Sequence, residues 1–309
     1  MNRFDAMEVY VAVVEAGSLS AAAERLNLAK SAVSRRIAEL ENHLGVQLLT
    51  RTTRRQTLTD TGRAYYQQCL RILNDVAELE SSIASQTSAL KGRLRIAAPL
   101  TFGVYHLTQA INEFIARHPA IEFDLDFNDR LIDLVHEGFD VSLRIGSLEN
   151  SSMIARRLAA IHHVVCASPN YLKTRGRPQH PDELRGHRVI HYSNLPDSSW
   201  HYRHGDGTQG TAAVPAKILA NNGDFIRCAA VAGHGITMLP TFIVHESIRS
   251  GALVPLLTEY RWRGVNAYAI YPPTRHLSLR VRAFIDFLAE RFSGTPSWDR
   301  DLPGLAFEV

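Results

Sequence analysis

Seven of the side chains between residues 25 and 55 are basic and two are acidic, so this tenth of the chain carries a net charge of +5. The whole chain of 309 residues has a net charge of only +3. A local basic patch neutralises phosphates and releases their counterions, which is the electrostatic requirement for binding nucleic acid. Taken alone, the run 51–55 is either a basic β-wing or a solvated surface loop. The basic residues are Arg25, Lys30, Arg35, Arg36, Arg51, Arg54 and Arg55, and the acidic ones are Glu39 and Glu41.

Motifs that would indicate an enzyme are weak by comparison. Residues 205–210 spell the dinucleotide-binding pattern G-x-G-x-x-G, but a strand-like segment follows where that site needs a helix, so a hairpin turn is predicted there. No H-E-x-x-H helix and no G-x-S-x-G nucleophile motif occurs. We therefore predict no enzymatic activity, no cofactor and no metal site. The six histidines that invite a metal site are expected to be surface or loop residues: His162, His163, His187, His191, His201 and His204.

Length, composition and cysteine content are those of an ordinary globular chain. With 309 residues, 45% of them hydrophobic and 21% charged, the chain can form two domains with separate cores, and disorder is excluded as its main state. Its three cysteines lie far apart and form no pair at disulfide or zinc spacing. No apolar run reaches the ~20 residues that cross a bilayer. We expect a cytoplasmic location and no membrane association.

Short helices are predicted to position the basic residues. Apolar residues recur at helical spacing over 4–14 before Gly17, and Ser18 or Ser20 can cap a second helix. After a turn at 27–29, a third helix is predicted from Lys30 to about residue 43, ended by Gly45, with serine and arginine side chains off its apolar face. Two helices joined by a tight turn, the second carrying polar and basic residues, are typical of a helix-turn-helix that reads DNA.

A long uninterrupted helix is predicted after this head. Thr59 is its expected cap, and neither Gly nor Pro occurs from Arg63 to Leu90, which is long for a globular helix. We expect the helix to pair with its copy in a homodimer, which would present two DNA readers; the alternative is that its apolar stripe packs on the chain's own head. The stripe follows heptad spacing, imperfect at Gln86, through Cys69, Ile72, Val76, Leu79, Ile83 and Leu90.

From residue 92 onward, strand-like and helix-like segments alternate. This pattern predicts two α/β units with mostly parallel sheets, whose ligands bind where the strands end. The loops 98–103, 127–130 and 144–148 are therefore candidate binding loops. The first unit is predicted as strand 93–98, connection 99–103, helix 104–117, strand 121–127, helix 129–137 and strand 141–145. The second is predicted as strand 162–167, strand 188–192, polar loop 193–210, strand 211–218, helix 224–232 and strand 235–240, before strand 265–271 and helix 277–292 return to the first.

Several runs together form a highly specific set. They are SLSAAAERL at 18–26, SAVSRRI at 31–37, LE at 40–41, LGVQLLTRTTR at 44–54, LTDTG at 58–62, SLRIG at 142–146, CASPNYL at 166–172 and GHGI at 233–236. With these runs the chain resembles the LysR-type transcriptional regulators over essentially its whole length. The opposing class is a solute-binding or enzymatic α/β protein with an accessory helical domain.

The resemblance implies an α/β protein overall with three parts. Residues 1–59 would form a winged helix-turn-helix, residues 60–91 a dimerising linker helix, and residues 92–309 a two-lobed effector-binding domain similar to periplasmic binding proteins. The first lobe would comprise about 92–161 and 266–309, and the second about 162–265. Double-stranded promoter DNA, a small-molecule effector and further copies of the chain, up to a tetramer, are the implied partners, with RNA polymerase as a further candidate.

The resemblance also implies functional residues. DNA would be contacted by Lys30, Ser31, Ser34, Arg35, Arg36, Arg51, Thr52, Arg54 and Arg55. The effector would be contacted by Thr101, Phe102, Asn128, Arg144, Gly146, Asn222 and Gly223.

The physical interpretation of the cleft agrees with this assignment. Thr101 and Asn222 are each predicted to precede a helix, so free N–H groups from both lobes could converge on an anion, and a small carboxylate is the expected effector. The alternative role of both residues is plain helix capping.

One departure from the family's pattern lies in the head: Ala29-Lys30 stands where the family usually has Ser-Gln, so a side-chain cap worth about 0.5–2 kcal/mol is expected to be missing. The other is Leu49, where the family often has Phe.

Overall fold

The computed structural model describes residues 2–51, 56–84, 90–130, 132–148, 152–194, 199–273 and 277–300, together with Leu302 and Leu305. Its N-terminal head begins with three helices, and the caps predicted from the sequence end and begin them. Gly17 and Gly45 adopt left-handed conformations, with φ of 70° and 69°, and Ser18 accepts a hydrogen bond from the N–H of Ala21 at 3.1 Å. The elements of the head are α1 (Arg3–Ala16), α2 (Leu19–Arg25), α3 (Lys30–Leu44), β1 (Leu49–Arg51) and β2 (Gln56–Leu58).

The long helix α4 (Asp60–Ala84) follows, and Thr59 caps it by accepting a 2.9 Å hydrogen bond from the N–H of Gly62. The apolar stripe predicted as a pairing seam divides among different surfaces. Cys69 is fully buried in the core of the head, and Leu90 packs against the core of the C-terminal part. Both residues were therefore wrongly assigned to the seam, because periodicity does not specify which surface a stripe covers. The side chains of Leu79, Ile83 and Gln86 lie outside the described residues.

Two five-stranded sheets form the frame of the C-terminal part, and both are mixed. The first has the order β4-β3-β5-β15-β6 and the second β11-β8-β12-β7-β13, while β10-β9-β14 form a small third sheet. The strands are β3 (Gly92–Ala98), β4 (Ile121–Phe127), β5 (Val141–Gly146), β6 (Ile154–Ile161), β7 (His163–Ala167), β8 (Val189–Tyr192), β9 (Ser199–His204), β10 (Gln209–Ala213), β11 (Ala216–Ala220), β12 (Ile236–Pro240), β13 (Val254–Leu256), β14 (Tyr260–Trp262) and β15 (Val265–Tyr271).

The expectation of mostly parallel sheets was wrong. In the first sheet β3 runs parallel to β4 and β5, but β15 returns from the second sheet and pairs antiparallel with β5 and β6. In the second sheet β8 is parallel to β11 and β12, while β7 is antiparallel to β12 and β13. The return of the strand 265–271 to the first sheet is confirmed.

Helices cover these sheets. The helices that follow β3 and β4 begin and end at residues other than those predicted. The covering helices are α5 (Leu100–Phe102), α6 (Thr108–Arg117), α7 (Leu134–Glu137), α8 (Pro169–Arg175), α9 (Gly223–Val231), α10 (Thr241–Arg249) and α11 (Leu279–Arg291), with a π-helical turn at Gly103–Leu107 and 3₁₀ turns at Pro181–Gly186 and Ser297–Asp299. Because the π-turn joins α5 to α6, the predicted connection 99–103 is largely helical. The predicted helix 129–137 shrinks to α7, and α10 and β6 were not predicted.

The segment 193–213 also folds differently from expectation. The predicted polar loop contains β9, which pairs antiparallel with β10 across the turn at 205–208, so the hairpin predicted at the G-x-G-x-x-G pattern is confirmed. The predicted strand 211–218 divides into β10 and β11 on either side of Pro215, which has no N–H to donate to a ladder. Within the described residues no single helix is long and apolar enough to span a membrane, and α1 with α2 passes only as a pair bent by 117°.

Candidate nucleic-acid interface and ligand cleft

Helix α3 separates an apolar face from a polar and basic one. Val33, Ile37 and Leu40 are at most 2% exposed and pack in the core of the head. On the other face Lys30, Ser31 and Arg35 are exposed, and Ser34 and Arg36 are half-buried. Arg35 lies 3.9 Å from Glu39 one turn later, a weak surface pair that leaves its guanidinium available. The helix thus presents a basic face of the kind that enters a major groove.

The start of α3 lacks the side-chain cap that helices usually have. Ala29 has the extended conformation of an N-cap, with φ −69° and ψ 139°, but its methyl group accepts no hydrogen bond. The expected missing cap is therefore confirmed. The helix N-terminus keeps free N–H groups next to the positive charge of Lys30, an arrangement that suits a phosphate oxygen.

A two-stranded wing lies beside α3 and is fixed to it by one carboxylate. β1 and β2 pair antiparallel from Leu49↔Leu58 to Arg51↔Gln56. Oε1 of Glu41 accepts hydrogen bonds from the N–H groups of Leu48 at 2.8 Å and Leu49 at 3.0 Å. Leu49 is buried in the head core. The side chain of Arg51 and the predicted contact residues Thr52, Arg54 and Arg55 lie outside the described residues.

The two larger sheets meet where Thr101 approaches the start of α9. The Thr101 hydroxyl is buried and donates to Oδ2 of Asp224 at 3.1 Å, and the Tyr105 hydroxyl donates to Oδ1 at 3.1 Å. Arg227, one turn further along α9, lies 3.4 Å from the same Oδ1. Asp224 therefore accepts from donors on both sides of the cleft. Burial, together with the nearby Asp224 carboxylate, raises the pKa of Tyr105.

The carboxyl ends of the parallel strands surround this contact, as the strand-end rule predicts. Asp129, just after β4, accepts a 3.3 Å hydrogen bond from the N–H of Leu100 at the start of α5. Burial raises the pKa of Asp129, and the bond from Leu100 opposes the rise. Tyr192 ends β8 in the second sheet, and burial raises its pKa, with the charge of Asp129 adding to the effect. Strand ends of both sheets therefore contribute to one cleft.

The predicted cleft residues fall into two groups. Thr101 faces the other sheet, although it lies inside α5 and not before it. Asn222 caps α9 by accepting a 2.9 Å hydrogen bond from the N–H of Phe225, which is the capping role considered as its alternative. Phe102 is 1% exposed within an aromatic cluster, and a Cβ on Gly223 would lie 2.5 Å from Ile243. Both therefore serve packing in this conformation.

The remaining predicted residues lie further from Thr101. Asn128 donates to Asp126 at 2.8 Å and accepts from the N–H of Arg130 at 3.1 Å, so its side chain is engaged within its own loop. Arg144 is exposed on β5, on the face opposite the buried Leu143, and Gly146 ends that strand. Among the described residues, no hydrogen bond or ion pair joins these three to Thr101 or Asp224.

The expected convergence of helix ends on a carboxylate ligand needs correction. An anion does occupy that position, but it is the chain's own Asp224, and Asp129 places a second carboxyl group at the same strand ends. A free carboxylate would have to displace Asp224 and then remain beside it. Sequence reasoning missed Asp224 and Tyr105, and it included Asp129 only as part of the candidate loop 127–130. The available signal for Asp224 was its place in the first turn of a helix, which ordinarily indicates only a favourable dipole interaction.

The predicted surface or loop histidines were partly misplaced. His191 is 3% exposed in β8, and its Nδ1 accepts from Trp200 at 3.2 Å, while His163, His201 and His204 also lie in strands. His162 forms a 2.8 Å hydrogen bond with Asp299. In the described part of the chain, no three His, Cys, Asp or Glu side chains are grouped to hold a metal ion.

Two family models match the chain in succession. Residues 4–63 match the model described as a bacterial regulatory helix-turn-helix protein of the lysR family, and residues 87–293 match the LysR substrate binding domain. Together the two matches span the head and both larger sheets.

Curated relatives and solved structures are similar over nearly the full length. An uncharacterised HTH-type transcriptional regulator of Haemophilus influenzae is 37% identical over 91% of this chain and 98% of its own. The HTH-type transcriptional regulator CrgA of Neisseria meningitidis serogroup C is 35% identical over 92% and 95%. The solved structure of CrgA from Neisseria meningitidis, a LysR-type transcriptional regulator, is 33% identical, with a TM-score of 0.61 over 94% of this chain and 99% of that one. The full-length Vibrio cholerae virulence activator AphB is 28% identical, with a TM-score of 0.60 over 94% and 100%.

Proposed function

The chain belongs to the LysR family of DNA-binding transcriptional regulators, and we propose that its head reads an operator through the free face of α3 and the adjoining wing. The proposed contacts are Lys30, Ser31, Ser34, Arg35, Arg36, Arg51, Thr52, Arg54 and Arg55. The observation that carries this assignment is α3 itself, whose apolar face is buried while its basic face is open beside β1 and β2. The relatives are transcriptional regulators and not enzymes.

We propose that a small molecule bound in the cleft around Thr101 controls this DNA binding. Asp224 accepts hydrogen bonds from Thr101 and Tyr105 across the cleft, so a ligand inserted there would change how the two lobes are held together. Asp224 and Asp129 favour an effector that brings hydrogen-bond donors or positive charge in place of the expected free carboxylate. Phe102, Asn128, Arg144, Asn222, Gly146 and Gly223 remain proposed contacts for a more open arrangement of the lobes.

We propose dimerisation through α4 and a division of the chain at residues 59 and 91. Because Cys69 and Leu90 pack inside the chain, they are not part of the proposed pairing surface. Its proposed centre is Ile72, which is 40% exposed, together with Val76. A dimer supplies two heads for two half-sites, and a tetramer would double that number. RNA polymerase is a further candidate partner, and a cytoplasmic location follows from the DNA target.

Fluorescence anisotropy with the full-length protein tests the proposal. The probe is the DNA immediately upstream of the chain's own gene, compared with a shuffled fragment of equal length. We expect selective binding of the natural fragment that weakens as salt rises, because phosphate contacts release counterions. Equal affinity for both fragments at low salt would overturn the proposal.

A further inference from the structure

Arg95, in the middle of β3, joins the first sheet to helix α4. Its Nε donates to Oδ2 of Asp124 at 2.8 Å, and its Nη1 donates to the backbone carbonyls of Glu137 at 3.1 Å and Gly138 at 3.2 Å. The same Nη1 donates to Oε1 of Gln67 on α4. The guanidinium lies 5.0 Å from the ring centroid of Phe139, and the side chain is only 18% exposed. One cation therefore holds a neighbouring strand, the end of α7 and the helix that carries the head.

The contact between α4 and α7 is closely fitted. Gln68, the next residue on α4, donates from Nε2 to the carbonyl of Val135 at 2.9 Å. Gly138 has a left-handed φ of 72°, and a Cβ there would lie 3.0 Å from both Nη1 of Arg95 and Cβ of Gln67. Glycine is thus needed for its backbone conformation and for the close approach of α4.

Asp140 braces the same strand as Arg95. Its Oδ2 accepts from the N–H of Arg95 at 2.8 Å, and its N–H donates to the Arg95 carbonyl at 2.9 Å. Burial raises the pKa of Asp140, while the charges of Arg280 and of Arg71 on α4 oppose the rise. Backbone and side chain of Arg95 are both held, so the guanidinium is aimed at α4 by a rigid support.

The segment between β4 and β5 has α7 near its end, and its start lies at the ligand cleft. Asp129 binds the N–H of Leu100 there, and the next residue, Arg130, donates to Glu137 at 2.6 Å. Glu137 is the residue whose backbone carbonyl accepts from Arg95. A continuous set of contacts therefore leads from the start of α5, through α7, to Gln67.

We propose that Arg95 is a positioning residue that docks α4, the helix that follows the head, on the effector-binding domain. Through this docking, a rearrangement at the cleft would reach the DNA-reading head by way of α7. The coupling role rests on the proposed function, but the docking itself does not. Two sites become coupled when both bias the arrangement of a shared element, and here the shared element is the short segment containing α7.

Four single variants separate docking from general stability. Arg95→Ala removes the cation, and Gln67→Ala removes its α4 partner from a half-buried helix position without touching the sheet. Gly138→Ala inserts a methyl group into the contact. Arg93→Ala is the matched control, because Arg93 lies on the same strand and its Nη2 binds the same Asp124 oxygen at 2.8 Å, but among the described side chains no hydrogen bond or ion pair joins it to α4 or α7. Should Arg95→Ala fail to fold, Gln67→Ala decides the question, because Gly138→Ala also strains a left-handed backbone.

Hydrogen–deuterium exchange of the full-length protein is the direct test. Weakened hydrogen bonds to the half-buried Arg95, or the methyl group at residue 138, should raise exchange in peptides from α4 and α7 by roughly tenfold or more in the three docking variants. Arg93→Ala should leave both peptides at the wild-type rate. Unchanged α4 exchange in Gln67→Ala and Gly138→Ala, or equal effects of Arg93→Ala and Arg95→Ala, would overturn the docking role.

A footprint on the upstream DNA tests the coupling. Gln67→Ala should bind the natural fragment selectively but protect a different extent of it from the wild type, because its heads are no longer held at a fixed angle. A footprint identical to the wild type, with α4 exchange raised, would refute coupling while leaving docking intact. Failure of the wild type to bind selectively would instead refute the proposed function, and the exchange experiment would still decide docking.

Discussion

The hydroxyl of Thr101 donates a hydrogen bond of 3.1 Å to Asp224, a residue 123 positions further along the chain, and so connects the first sheet to the second. Tyr105 donates to the other oxygen of the same carboxylate at 3.1 Å. In this conformation the carboxylate of α9 fills the position that an effector anion was expected to take. The chain's own side chain thus bridges the cleft, and an effector bound at the proposed site would have to accommodate Asp224 or displace it.

Thr101→Val and Asp224→Asn should each lower the free energy of unfolding, and their effects should not add. Each variant weakens or removes the same hydrogen bond, worth about 0.5–1.5 kcal/mol, so the double variant should be less unstable than the sum. Chemical denaturation of the two single variants and the double variant of the full-length protein measures this double-mutant cycle.

Basal DNA binding should persist in Thr101→Val, while the response to an effector is lost. Thr108→Val is the control, because Thr108 bonds the carbonyl of Gly103 within its own helical segment. Strict additivity, or loss of basal DNA binding, would contradict this role.

Ala29→Ser should stabilise the head. Residue 29 already has N-cap geometry without a side-chain acceptor, so a serine hydroxyl would satisfy a free N–H of α3 and add about 0.5–2 kcal/mol. Thermal unfolding followed by circular dichroism detects this as a higher Tm. Ala38→Ser, inside the same helix, should give no gain, because serine is a poorer helix former than alanine. A Tm for Ala29→Ser at or below the wild-type value would show that the cap is not limiting.

Glu41→Ala should weaken DNA binding although it removes a negative charge from α3, the proposed DNA-reading helix. The carboxylate fixes the wing through the N–H groups of Leu48 and Leu49, so its loss frees the wing beside α3. Glu39→Ala is the matched control: it removes the same charge from an exposed site paired only loosely with Arg35, and it should leave affinity unchanged or raise it. Anisotropy at one fixed salt concentration compares the two. Tighter binding by both variants would mean that charge outweighs the position of the wing.

Stability should fall as pH decreases from about 6.5 to 4, in part because of His106. Burial holds the pKa of His106 at about 4, although its bond to the Phe242 carbonyl opposes the shift and His245 adds to it. Since the unfolded chain binds a proton in this interval and the folded chain does not, the stabilisation is complete above pH 6.5 and is lost as pH falls. The shift corresponds to about 3 kcal/mol at the acidic end. His163, also held at a pKa of about 4, contributes in the same direction.

The pH dependence of Tm checks this assignment. His106→Phe should lower Tm at neutral pH, because the Phe242 carbonyl loses its donor, but Tm should then fall less steeply from pH 7 to pH 5. His136→Asn, an exposed position on α7, should retain the wild-type slope. An unchanged slope in His106→Phe would assign the acid sensitivity to other groups.

Local signals in the sequence were sufficient for the head. Ser18, Gly17, Gly45 and Thr59 end or begin helices through bonds within a few residues, so their roles could be read directly from residue type and spacing. The same holds for the turn at 205–208, where the strand-like segment that follows argued against a nucleotide-binding site. The missing cap at Ala29 was expected from the family resemblance, which usually places a serine at that position.

Non-local relationships were beyond the sequence. Cys69 and Leu90 belong to a regular apolar stripe, but each packs on a different core, and spacing alone does not distinguish these surfaces from a dimer seam. The return of the strand 265–271 to the first sheet was predicted, but its antiparallel place between β5 and β6 was not. In the sequence, Asp224 is an ordinary acidic residue in the first turn of a helix, and only the fold brings it to Thr101.

The salt dependence of DNA binding tests the central claim most directly. The full-length wild type and Arg36→Ala are titrated with the upstream fragment across a range of salt concentrations, with Arg156→Ala, an exposed arginine on β6, as the control. If α3 contacts the operator, Arg36→Ala should bind more weakly and lose up to about one unit of the slope of log K against log salt, and Arg156→Ala should match the wild type. Identical affinity and slope for Arg36→Ala and the wild type would contradict DNA reading through this helix.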